Sequence, residues 1–211
     1  MQDQAKLYSK INRGQLIDGE ALLQHAAPRT GDLVLDVGCG TGELTFELAR
    51  KVGASGRVVA LDPDADRVSI AQQTQPSDIK NIEWICDEFS TEAIASRSNF
   101  DLVFSSHVFH WFSDQQDGVM AVSRALRPGG RFAIQFVYAL PACLALIRKM
   151  VKQEIDLPED LRDRWLSYFD QAGFQYEIKT DIEPYFHPDL NDLLAWYEGT
   201  THGVVRRDNL T

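Results

Sequence analysis

Apolar positions along the chain switch repeatedly between two periods. Leu33, Val34, Leu35 and Val37 form an apolar run of the kind found in a strand buried on both faces of a parallel sheet. Beyond three glycines the period changes, and Leu44, Leu48 and Val52 recur every four residues as one face of a helix. The same exchange continues downstream. Gly56 to Asp62 (GRVVALD) predicts a second strand, and Asp64 to about Gln75 a helix that Pro63 can open and Pro76 limits. Asn81 to Phe89 predicts a third strand with Ile82, Trp84 and Cys86 on one face, followed by a short helix from Thr91 to Ser96. A fourth strand, Phe100 to Ser106, precedes a helix from Asp114 to Leu126. Arg127-Pro128-Gly129-Gly130 then forces a turn, and the fifth strand is expected from Arg131 to Val137. Pro141 to Lys152 and Asp160 to Ala172 read as helices, with Gly173 as the stop of the second. Phe174 to about Phe186 alternates as a sixth strand, and Asp189 can cap a last helix through Leu193, Leu194 and Tyr197. Ahead of all this, Met1 to Ala27 looks helical, although Gly14 and Gly19 weaken the pattern.

The stretch from Leu33 to Val52, LVLDVGCGTGELTFELARKV, organises the rest. A strand that turns on Gly38, Gly40 and Gly42 into a helix presents bare backbone N–H groups and a positive helix end to a ligand. The dinucleotide fingerprint G-x-G-x-x-G needs its last glycine one residue later than the G-x-G-x-G found here. Asp36 also closes the strand just before the loop, where it would repel a pyrophosphate and suit a ligand bearing an amine. Asp62 lies twenty residues after Gly42 at the tip of the second strand. In doubly wound folds such an acid accepts hydrogen bonds from ribose hydroxyls. The competing reading of Asp62 is a helix N-cap.

Composition narrows the partners. A chain of 211 residues, 44% of them hydrophobic, can bury one good core, so a single domain is expected. A net charge of −10 and a pI near 4.9 argue against nucleic acid or an anionic membrane as the main partner. No apolar stretch approaches a membrane span, and MQDQAKLYSK has no signal-peptide core. Cys39, Cys86 and Cys143 lie far apart without a C-x-x-C pair, which argues against disulfide and zinc frameworks. The expectation is a reduced, cytoplasmic protein without a resident metal.

The D-x-G-x-G-x-G loop, Asp62, the acid Asp87 after the third strand, and LRPGG before RFAIQFV together resemble class I S-adenosylmethionine-dependent methyltransferases. The resemblance implies a Rossmann-like, doubly wound, mostly parallel α/β sheet. That fold finishes with an antiparallel strand beside the sixth, for which the sequence up to Thr211 offers no candidate. It implies S-adenosylmethionine as cofactor, leaving as S-adenosylhomocysteine. Asp36, Gly38, Cys39, Gly40 and Gly42 would hold it at the loop, and Asp62 and Pro63 at the ribose. Asp87, Glu88 and Phe89 would surround the adenine, Asp87 accepting from the amino group and Phe89 flanking the ring, with Ser105 at the end of the fourth strand. Within one domain over 1–211, residues 1–30 would be a helical lid segment, 31–137 the cofactor-binding core and 138–211 the substrate-side part.

A narrower likeness concerns the acceptor. AKLYSKINRGQLIDGEALL together with FSSHVFHWFSDQ is similar to the juvenile hormone acid methyltransferases, which esterify a small apolar carboxylic acid. By that likeness Gln15 and Trp111 hold the substrate carboxylate, and Tyr8 lies with Gln15 in a segment that folds over the cofactor. Amide and indole N–H groups are neutral donors able to orient a carboxylate. A carboxylate is ionised at neutral pH and needs no base, whereas a hydroxyl, amine or carbon acceptor must lose a proton, for which His110 or His107 is the candidate. The same two histidines with Asp114 could be read as metal ligands, or as residues that pack beneath the loop or touch cofactor or substrate. Nucleic-acid base methylation is disfavoured by the charge and by the lack of an N/D-P-P-Y/F segment after the fourth strand, and arsenic methylation by the lack of paired cysteines. A non-catalytic module of the same fold would be marked by a damaged loop, and this loop is intact.

Overall fold

The structure is a computed structural model that describes residues 13–87, 91–95, 97–136 and 161–179. Among these residues, β1 (Leu33–Val37), β2 (Arg57–Asp62), β3 (Ile82–Cys86), β4 (Phe100–Ser106) and β5 (Leu126–Gln135) form one parallel sheet in the order β3-β2-β1-β4-β5. The chain works outward from β1 to β3 and then returns to lay β4 on β1's other side. The strand order therefore reverses at the carboxyl ends of β1 and β4, which is where open parallel sheets bind ligands.

Helices cover both faces. On one face α1 (Arg13–Ala26) and α2 (Glu43–Val52) set Leu23, Phe46, Leu48 and Val52 against Val34, Val58, Leu102 and Phe104. On the other, α4 (Thr91–Ala95), α5 (Gln115–Ala125) and α6 (Leu161–Gln171) set Ile94, Val119, Val122, Trp165 and Phe169 against Leu35, Val37, Leu61 and Val103. Each such side chain contributes about 1.5–3 kcal/mol of burial. The remaining helix, α3 (Ala65–Thr74), brings Ala71 beside Gly42 on the first face. Strand alternation explains how an acid enters this core: Asp36 shares Val34's face of β1 and so meets α2.

Two expectations need correction. The fifth strand begins at Leu126 rather than Arg131, because Leu126 already pairs with Phe100. The RPGG turn is then a bulge inside the strand, with Gly129 at φ +75°, before Arg131 resumes pairing at Leu102. The sixth strand does not begin at Phe174. Gly173 ends α6 at φ +77°, the Phe174 N–H reaching back to the Phe169 carbonyl (3.0 Å), and residues 174–179 form no strand. Their aromatic alternation serves packing instead: Phe174 lies 5.8 Å from Phe132, and Tyr176 lies 5.8 Å from Phe169, between ring centroids. Tyr8, Glu88 and Phe89, the helix expected over 141–152, and everything expected beyond residue 179 lie outside the described residues. No helix among the described residues is long and apolar enough to cross a membrane.

Candidate functional site

The loop between β1 and α2 is held from below by β2. The Gly38 and Cys39 N–H groups both donate to the Leu61 carbonyl, at 2.7 and 3.1 Å. Gly38 (φ +83°) permits a very close approach, since a Cβ there would stand 2.0 Å from a Val108 methyl. Gly40 (φ +54°) is different: a Cβ there would meet nothing within 4 Å, so its backbone faces open space. Gly40 N–H donates to Asp62 Oδ2 at 2.9 Å, and Asp62 Oδ1 accepts from Asp64 N–H at 2.9 Å. The capping of α3 falls to Asp64, whose side chain accepts from the Asp66 and Arg67 N–H groups. Asp62 is thus directed to the glycine loop.

Asp36 is buried, and the Thr45 hydroxyl of α2 donates to its Oδ2 at 2.6 Å. Burial pushes its carboxyl up to about 7, the Thr45 bond opposing this and the nearby Asp62 adding to it. Burial likewise raises Asp62, against the hydrogen bonds from Asp64 and Gly40. The Cys39 thiol is pushed well above its ordinary range by burial and by both acids, so it stays a neutral packing group. Around these groups opens a cleft walled by the glycine loop, Glu43 and Leu44 of α2, Gln15 and Leu16 of α1, and Phe104, Ser106 and His107 on the β4 side.

Several expected site residues therefore come together: Gln15, Asp36, Gly38, Cys39 and Gly40 line the cleft, and Asp62 touches it through Gly40. Gly42 opens α2 and is packed within 3.0 Å of Ala71, Phe46 and Trp84 as judged from its Cβ direction. Pro63 and Asp87 are exposed just beyond β2 and β3, the Asp87 N–H 3.3 Å from the Asp62 carbonyl. Ser105 is fully buried and donates to the Val37 carbonyl (2.9 Å), and it is Ser106 that lines the cleft. His110 and Trp111 stand exposed on the 3-10 turn Phe109–Trp111, their rings 5.0 Å apart. Asp114 caps α5 by accepting from Asp117 N–H, and among the described residues no three potential metal ligands converge.

Sequence reasoning missed Leu16, Asp18, Glu43, Leu44 and Ser106. Asp18 follows Gln15 by three residues and so shares its face of α1, a spacing that was legible. Its partner was not: His107 Nε2 lies 3.1 Å from Asp18 Oδ2 across 89 residues of sequence.

Residues 34–130 match a family model described as a methyltransferase domain. The chain is 33% identical over 110 residues to the 2-phytyl-1,4-beta-naphthoquinone methyltransferase of Arabidopsis thaliana, covering 50% of this chain and 42% of that protein. It is 28% identical over 166 residues to the aklanonic acid methyltransferase DauC of a Streptomyces strain, covering 73% and 75%. Among solved structures it is similar to a SAM-dependent methyltransferase from Aquifex aeolicus, with a TM-score of 0.59 and 22% identity over 82% of this chain and 88% of that one. That last likeness shows the fold. The chain spans about half the length of several curated relatives it matches.

Proposed function

We propose that this chain is a class I S-adenosylmethionine-dependent methyltransferase, a reading supported by the match of residues 34–130 to a methyltransferase domain, and that it transfers a methyl group to a small molecule, with a carboxylate giving a methyl ester as the leading acceptor. The observation that carries this reading is the cleft at Gly40, where backbone faces open space between two buried carboxylates. Neither Asp36 nor Asp62 is ion-paired among the described residues. Such a pair of acids suits a ligand that brings an ammonium group and ribose hydroxyls. Asp36 would balance the ammonium, and Asp62 would accept from the ribose with Pro63 beside it. Asp87, Glu88 and Phe89 would bracket the adenine. The chemistry the bound cofactor supplies is a methyl group on cationic sulfur, open to in-line attack.

The chain's own task is then to hold an acceptor close, collinear and dry. Gln15 lines the cleft from α1, and Trp111 follows β4 at the same edge of the sheet. Both carry neutral N–H donors that orient a carboxylate without adding a like charge beside the sulfonium. An apolar acid, as in the juvenile hormone acid methyltransferases, is the substrate class this reading favours, and DauC is a relative named for an acid. A second reading has a histidine accept a proton from a hydroxyl, amine or carbon acceptor. It draws support from His107, a cleft residue held by a carboxylate, and from the relative named for a naphthoquinone.

Incubation with methyl-labelled S-adenosylmethionine and a panel of fatty, terpenoid and small dicarboxylic acids tests both. Base-labile label establishes the ester and identifies the acid class. Base-stable label alone sinks the carboxylate reading and moves attention to the histidines. An absence of S-adenosylhomocysteine binding would bring the non-catalytic module forward.

A further inference from the structure

His107 occupies an unfavourable backbone conformation. Its φ is +59°, in the left-handed region that costs a residue with a side chain about 1–3 kcal/mol and persists only where the surroundings over-determine it. Two contacts do so here. Its N–H donates to the Gln135 carbonyl of β5 at 2.9 Å, and its Nε2 shares the hydrogen bond with Asp18 of α1. Both side chains of that pair are nearly enclosed, at 8% and 11% exposure.

The residue after Asp18 makes the second anchor. At Gly19 a Cβ would stand 2.3 Å from Leu44 Cδ1, so α1 lies against the first turn of α2 at a distance that glycine allows. Asp18 and Gly19 therefore fasten α1 at two points of the cleft's lining, one to His107 just after β4 and one to the first turn of α2. Gln15 and Leu16 precede them by three residues each, which places them one turn away on the same helix face. Both line the cleft.

We infer that the Asp18–His107 hydrogen bond and the Gly19–Leu44 contact form a two-point seat that holds α1 over the cleft and sets where Gln15 stands. Asp18 and His107 are positioning residues in this arrangement. The consequence for activity rests on the methyl-transfer reading of the cleft; the seat itself is a property of α1.

The test combines amide hydrogen exchange with titration of S-adenosylhomocysteine. Asp18→Ala removes the acceptor. His107→Asn keeps a residue that tolerates left-handed backbone but is too short to reach Asp18. Asp18→Asn keeps an oxygen able to accept. In Asp18→Ala and His107→Asn, exchange over 13–26 should quicken by about tenfold while the sheet amides stay unchanged. Affinity should fall by about tenfold in each, and the double variant should be no weaker than either single one. Asp18→Asn should recover most of the loss. Unchanged exchange of α1 in both disrupting variants, or losses that multiply in the double variant, would overturn the seat. If Asp18→Ala fails to fold, His107→Asn and Asp18→Asn decide between the same outcomes. If the unaltered chain does not bind S-adenosylhomocysteine, the methyl-transfer reading fails, and the exchange comparison alone decides the seat.

Discussion

The two ends of the central sheet treat their carboxylates in opposite ways. At the amino ends of the strands, Asp32 accepts from Arg131 (3.0 Å) and from the Arg29 N–H (2.9 Å). Asp101 accepts from Arg127 (2.6 Å) and from the Leu33 N–H (2.7 Å). Burial pushes the Asp101 carboxyl up, but the Leu33 N–H and Arg127 outweigh it and hold it below its ordinary value. Arg131 also donates to the carbonyls of Ala26 and Ala27, satisfying the end of α1. At the carboxyl ends, Asp36 and Asp62 are buried beside a cleft, not ion-paired among the described residues, and raised in pKa. One end uses its charges to hold strands, bulge and helix together. The other sets two acids beside an open cleft without an ion pair among the described residues. In this sheet the candidate site is marked by where hydrogen bonds offset the burial of an acid only in part, which is the pattern expected of functional groups.

The largest expected effect breaks the ligand end. Asp62→Ala should weaken S-adenosylhomocysteine binding by about 100-fold, the loss of two charge-assisted hydrogen bonds, as read by calorimetry. A protein using this fold only as a scaffold would be indifferent to that change in its cofactor titration. Breaking the opposite end should do the reverse. Arg131→Met leaves Asp32 and two α1 carbonyls short of a donor, so denaturant melts should show a loss of about 1–3 kcal/mol. Ligand affinity should stay within about twofold at temperatures where the fold is intact. A variant that loses affinity as strongly as stability would erase the division between the two ends.

A pH titration sharpens the comparison further. The folded-state value of Asp36, about 7, lies above its ordinary 3.8. Between those values the folded chain keeps a proton that the unfolded chain has lost, so stability of the unliganded protein declines as pH rises through the window and levels off above 7. A ligand ammonium reverses the sense, because binding then expels that proton. Affinity should strengthen with pH by up to about tenfold per unit below 7. Asp36→Asn should flatten both curves, and a native affinity independent of pH would detach Asp36 from the ligand.

The α/β alternation, the five strands and the glycine loop were legible because each depends on neighbours in sequence: an apolar run, a helical period, glycines at a strand end. Expectation and structure parted where packing competes with local pattern. Phe174 and Tyr176 alternate like a strand yet pack on α6 and β5, and the RPGG turn sits inside β5 because Phe100 had already paired with Leu126. The cleft was legible in part. Asp36 and Gly40 could be named from the loop itself, whereas Ser106 and Ser105 could be told apart only by which way the strand's pleat turned each hydroxyl.

By itself the sequence determined the order and type of the elements from α1 to β5, the loop's glycines and the acids at the strand tips, since periodicity and backbone freedom act over a few residues. Only the tertiary structure decided which acids are matched by arginines and which are left raised, and that Asp18 meets His107 across 89 residues. Those outcomes depend on burial and on distances between remote segments, and neither is set until the sheet is assembled and the helices close over it.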